Sequence, residues 1–275
     1  MRATEPHPGI VSFLGEGRFL PELMSFAHHS WWDDIEAPSR VHQTVLLIPG
    51  FMASDWSLYP MASRLRAAGH RVNFAGIWCN ADCPRSTLER LESVLLKLSS
   101  KAHGKIVIVG HSLGGVYARE LARRHPELVE RAILLGSPLR NLWESSSPFV
   151  KLLALGAIFV HGDRPGCTAN SHTLCGIDVE GAPPSVPETI VYSKTDGVVQ
   201  WQSCVESGES VETIEVESSH CGLACNEDAI KIVLQRLTAT AQPRLAIAAR
   251  NNRPAHHRQR LLRPRLRLIK GQSVA

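Results

Sequence analysis

From Thr44 onward, short apolar runs alternate with amphipathic segments, and this alternation constrains the fold more than any other feature of the chain. "TVLLIPG" (44–50), "RVNFAGIW" (71–78), "KIVIVG" (105–110), "RAILLGSP" (131–138), "ETIVYSKTD" (188–196) and "VETIEVESSH" (211–220) read as strands. Between them, 57–70, 86–101 and 115–126 read as helices, and 226–239 follows the last strand as a fourth. The 86–101 segment places Leu88, Leu91, Leu95 and Leu98 three or four apart, on one helical face. Asn226 opens the last helix, with acids in its first turn. Continuous apolar strands joined by helices predict an α/β fold with a mostly parallel sheet covered on both faces. Ligands of such sheets bind at the carboxyl ends of the strands.

Three stretches lie outside the alternation. Residues 1–43 are expected to form an N-terminal extension whose helix packs on the body through Phe19, Leu20, Leu23 and Phe26. Residues 139–187 are an insertion running through the apolar segment 149–160; on the functional rim of a sheet it reads either as a lid or as a buried packing helix. Residues 241–275 carry eight arginines, one lysine and no acid, so the other 240 residues hold 21 basic and 26 acidic side chains, a net charge of −5. This basic, proline-interrupted tail is expected to be disordered. It could touch an anionic membrane weakly, but no specific nucleic-acid partner is expected. The domain itself is read as 44–240, and 275 residues at 44% hydrophobic composition suffice for it.

Seven cysteines, an odd number, do not form a disulfide framework, which points to a reducing compartment. Cys79 with Cys83, Cys221 with Cys225, and the group Cys167, His172 and Cys175 all lack paired zinc-site spacing, so no metal is expected. Glu5, Glu16 and Glu22 interrupt any signal-like N-terminal stretch, and the 149–160 segment is too short to span a bilayer. A soluble, cytoplasmic protein is the resulting expectation.

The chemistry is concentrated at "IVIVGHSLGG" (106–115), where Gly110-His111-Ser112-Leu113-Gly114 fits the G-x-S-x-G pattern between an apolar strand and an amphipathic helix. The alternative is a glycine-rich turn that happens to contain a serine. A serine hydroxyl needs a neutral imidazole to take its proton and an acid to orient that imidazole. There are 13 histidines, so position must select. His220 follows the last strand and Asp196 ends the strand before it; the order Ser112, Asp196, His220 suits this architecture, with Asp163 and Asp178 as weaker acids. An oxyanion would be held by the Leu113 amide and by that of Phe51, with Met52 as the alternative. Phe51, Met52 and Trp56 read as lining for an apolar acyl group, or as simple packing.

"LIPGF", "GHSLGG", "SKTDGVV" and "SHCGL" together resemble the α/β-hydrolase superfamily in its lipase and esterase branch, over roughly residues 42–238. The resemblance implies the α/β-hydrolase fold with a lid-like insertion, and cleavage of a small-molecule or lipid-like acyl ester through an acyl-enzyme, without cofactor. An acyltransferase or thioesterase on the same three residues, or a non-catalytic binding protein of the same fold, are the alternatives. Departures from the family pattern are Pro49, where many members have histidine, no evident antiparallel strands before residue 44, and the basic tail.

Overall fold

The structure is a computed structural model and describes residues 15–28, 42–148, 151 and 173–239. The chain divides into two units, residues 1–241 and 242–275, and the second lies wholly outside the described residues.

A 3₁₀ turn, Gly15–Arg18, leads into helix α1, Phe19–His28. Strand β1, Thr44–Ile48, is followed by a 3₁₀ turn at Asp55–Leu58 and helix α2, Tyr59–Ala67, and then by β2, Arg71–Phe74. Helix α3, Pro84–Ser99, precedes β3, Ile106–His111; helix α4, Leu113–Arg124, precedes β4, Val129–Leu135. The described part of the insertion holds a short helix α5, Leu142–Ser145, and an antiparallel hairpin of β5, Thr173–Leu174, and β6, Ile177–Asp178. Strand β7, Glu188–Tyr192, short helix α6, Trp201–Cys204, β8, Val211–Glu215, and helix α7, Glu227–Ala239, complete the fold.

Six strands form one sheet in the order β2-β1-β3-β4-β7-β8, and every neighbouring pair is parallel. The direction of winding reverses between β1 and β3, so a crevice opens at their carboxyl ends. Side chains alternate across the sheet as the two-residue period demands. Leu46, Ile48, Ile106 and Ile108 face a core built with Leu88, Leu91 and Leu95 of α3 and Tyr117 and Leu121 of α4. Val45, Leu47, Val107 and Val109 face the opposite core, with Met61 and Leu65 of α2 and Ile230, Val233 and Leu237 of α7. Each fully buried leucine contributes about 2 kcal/mol of transfer free energy, so both layers are needed to hold the sheet.

Several elements are shorter than their apolar runs. The strand expected over 71–78 ends at Phe74 because Gly76 turns at φ 78° and the Asp55 carboxylate captures the amides of Gly76 and Ile77 at 2.8 and 3.0 Å. The 211–220 strand likewise stops at Glu215. Helix α4 starts at Leu113, two residues before the expected 115, which puts Ser112 directly at its mouth. Leu20 is 66% exposed and does not pack as expected, whereas Phe26 contacts the α2/α7 core and lies under the Arg64 guanidinium at 4.4 Å. The segment 149–160, apart from Lys151, lies outside the described residues, as do Asp163, Cys167 and His172.

Candidate active site

The serine turn begins as a space requirement. A Cβ on Gly110 would fall 2.2 Å from the Gly114 carbonyl oxygen, and one on Gly114 would fall 2.2 Å from the Ile48 carbonyl oxygen. Backbone on both sides cannot give way, so strand β3, helix α4 and strand β1 meet this closely only where side chains are missing. Ser112 is held at φ 54° and ψ −122° between them, in a region that costs an L-residue about 1–3 kcal/mol. Its amide donates to the Leu135 carbonyl at 2.8 Å, which ties the turn to β4.

Asp196 and His220 stand on the loops after β7 and β8, as their sequence positions suggested. The Nδ1–H of His220 donates to Asp196 Oδ2 at 2.6 Å. Asp196 Oδ1 accepts the amides of Val198 and Val199, both at 2.8 Å. One carboxylate therefore closes its own Asp-Gly turn and orients the imidazole. Ser112, Asp196 and His220 are all buried. Asp178 lies on the β5–β6 hairpin, where its main-chain carbonyl accepts from Arg123.

His111 brings the serine and the imidazole into one neighbourhood. Its Nε2 lies 2.9 Å from the His220 carbonyl oxygen. A carbonyl can only accept, so Nε2 carries the proton. The two rings lie 4.8 Å apart between centroids, and a Cβ on Gly50 would touch both Ser112 Cβ, at 3.0 Å, and His111 Nδ1, at 3.1 Å. Burial pushes the His111 imidazole down to about 4, aided by the neighbouring His220, so it is neutral near pH 7. For His220 burial also opposes the charge, but the Asp196 carboxylate, with Glu16 adding to it, outweighs burial and raises the imidazole above its ordinary value.

The loop after β1 is held by Asn80. Asn80 Nδ2 donates to the Pro49 carbonyl at 2.8 Å, its amide donates to Ala53, and its carbonyl accepts the Met52 amide at 3.0 Å. Met52 is thereby spent as a donor. Phe51 and Leu113 are different: among the described residues no hydrogen bond engages either amide, and Leu113 opens α4, where amides lack intrahelical acceptors. Met52 and Trp56, at 46% and 69% exposure, border this loop instead of lining a closed pocket.

Among the described residues no group of three or more His, Cys, Asp or Glu side chains is placed to hold a metal ion, and no helix is long and apolar enough to cross a membrane. The six described cysteines are free thiols. Four residues of the site were not singled out from sequence: His111, Asn80, Glu16 and Glu22. His111 stands within the motif itself, where its place beside Ser112 is visible in sequence. In sequence the two glutamates are only charges in the N-terminal stretch.

The sequence model of the alpha/beta hydrolase family matches residues 45–181, from β1 into the insertion. The match covers just under half of the chain, and the six-stranded parallel sheet with helices on both faces is the alpha/beta hydrolase fold. Among solved structures, the chain is similar to a pyrethroid hydrolase from Sphingobium faniae JZ-2, with a TM-score of 0.52 and 19% identity over 72% of this chain and 98% of that one. It is equally similar to a structure described with two metagenome-derived lipolytic enzymes, with a TM-score of 0.52 and 18% identity over 74% of this chain and 94% of that one. At these identities the likeness concerns the fold. Curated relatives match a shorter stretch: a homoserine O-acetyltransferase of Thermus thermophilus at 27% identity over 122 residues, and salicylic acid-binding protein 2 of Nicotiana tabacum at 28% over 110. These matches cover 44% and 37% of this chain but only 31% and 42% of the relatives, so the chain spans less than half the length of either.

Proposed function

We propose that the protein is a serine hydrolase that cleaves a small or lipid-like carboxylic ester through an acyl-enzyme. The observation that carries this reading is the buried 2.6 Å bond between His220 Nδ1 and Asp196 Oδ2, on the same sheet edge as the strained Ser112. With Nδ1 protonated and held by Asp196, His220 Nε2 is the base. Ser112 Oγ attacks the ester carbonyl and its proton passes to Nε2; the Phe51 and Leu113 amides stabilise the oxyanion. His220 then protonates the leaving alcohol, and water, deprotonated by the same nitrogen, releases the acid.

A second reading is acyl transfer to an alcohol instead of water, favoured by the partial likeness to a homoserine O-acetyltransferase. The free thiols support work in a reducing compartment, hence the cytoplasm. Labelling of the intact protein by a fluorophosphonate probe, together with p-nitrophenyl ester turnover, tests the shared step. Ser112→Ala is expected to stay folded and lose both signals; turnover retained by that variant refutes the assignment. Adding candidate alcohols during turnover separates transfer from hydrolysis.

A further inference from the structure

The loops that carry Asp196 and His220 are joined from outside the sheet by the segment preceding β1. Glu16, in the 3₁₀ turn, accepts the Gly197 amide and the His220 amide on one oxygen, Oε1, each at 2.9 Å. Its other oxygen takes the Cys221 amide at 3.3 Å. Six residues further along, on α1, Glu22 accepts the Ser219 amide at 2.8 Å and the Ser219 hydroxyl. Gly222 is required here, since a Cβ on it would fall 1.7 Å from Glu22 Oε2. Arg18, between the two acids, donates to the Thr195 carbonyl at 3.0 Å. Three consecutive amides, 219 to 221, and the amide following Asp196 therefore end on two carboxylates 181 to 205 residues away in sequence.

We propose that Glu16 and Glu22 form a carboxylate clip that positions His220 against Asp196, making the N-terminal segment part of the machinery of this site. The inference rests on the serine-hydrolase reading for its kinetic consequences, but not for its structural ones. Neither glutamate touches a reacting atom. Each acts through the main chain: four amides converge on two carboxylates, and charge-assisted bonds of this kind are about twice as strong as neutral ones. Released from the clip, the 219–221 backbone would let the imidazole drift from Asp196. The titratable groups in contact with His220 are Asp196, His111 and Glu16, with Cys221 next to it in the chain; Glu22 and Cys225 stand beside the same loop. Glu16 is thus a second anionic group beside the imidazole, and its charge favours the protonated ring.

The test compares Glu16→Ala, Glu16→Gln and Glu22→Gln with wild type in the full-length protein. Glu16→Ala is expected to lower kcat by about 10- to 100-fold with little change in KM, since misplacement of a catalytic group acts on the chemical step. Glu16→Gln keeps a carbonyl oxygen for the Gly197 and His220 amides and should recover most of that rate. Because it removes the negative charge, it lowers the His220 pKa and moves the acid limb of kcat/KM to lower pH. NMR titration of the His220 ring, assigned with a His220 variant, should report the same downward movement without any turnover. Glu22→Gln should lower kcat less than Glu16→Ala does and leave the acid limb closer to that of wild type. An unshifted His220 titration in Glu16→Gln overturns the clip, as does a Glu16→Ala rate within about twofold of wild type. Should Glu16→Ala fail to fold, the glutamine variant and the titration decide alone. A wild-type protein that turns over no ester defeats the proposed function, while the titration still judges the clip.

Discussion

His111 donates its Nε2 proton to the main-chain carbonyl of His220 at 2.9 Å, joining the residue before the candidate nucleophile to the candidate base. Through this one bond the β3 turn and the loop after β8, more than a hundred residues apart in sequence, are referenced to each other. A hydrogen bond contributes only about 1 kcal/mol net. Its directional value is larger, because it sets where the backbone that carries the imidazole can lie.

His111 is buried, and burial pushes it down to about 4, below the ordinary histidine value. The unfolded chain binds a proton near pH 6.5 while the native protein does not, so stability present above that pH is lost as the medium falls from about 6.5 toward 4, by up to about 3 kcal/mol. Replacing His111 with Gln keeps a donor for the His220 carbonyl and removes the titration. Chemical denaturation at pH 7 and pH 5 should show a smaller loss for the variant than for wild type; equal losses would assign the acid sensitivity elsewhere.

His220 shifts in the opposite direction, upward. Its contribution to stability is present below about pH 6.5 and is lost as pH rises through the raised folded value. Under the proposed mechanism activity has the reverse dependence, because the base works only when neutral. The acid limb of kcat/KM is therefore expected above the ordinary histidine value of about 6.5. Stopped kinetics across pH 5 to 9 would read it, and a profile flat through that interval would remove His220 from the role of base.

Gly115 and Ser137 form a steric pair. A Cβ on Gly115 would lie 1.9 Å from Ser137 Oγ and 2.7 Å from Ser137 Cβ, and Ser137 is fully buried. Gly115→Ala should cost about 1–3 kcal/mol by overpacking. Combining it with Ser137→Gly removes both colliding atoms, so the double variant should regain about 1 kcal/mol or more relative to additivity. Urea midpoints for the four members of the cycle measure this directly; strict additivity would place the strain elsewhere.

The alternation from Thr44 onward determined the parallel sheet and the helices over both its faces, because the two-residue period of a strand and the 3.6-residue period of a helix are local properties of the chain. The glycines around Ser112 were equally legible: close approach of backbones leaves no room for Cβ atoms wherever it occurs. That Asp196 and His220 would meet was legible from position, since loops after parallel strands emerge on one edge. Strand ends were less legible, as at Phe74, where a distant Asp55 carboxylate took over the backbone amides. What only the tertiary structure decided was which remote groups serve that edge: Asn80 fixing the loop after β1, His111 reaching the His220 carbonyl, and Glu16 and Glu22 gathering the amides around the imidazole. A glutamate looks the same in sequence whether it faces water or closes a ring of amides, because its role depends on which orphaned donors the folded chain happens to bring within 3 Å or so.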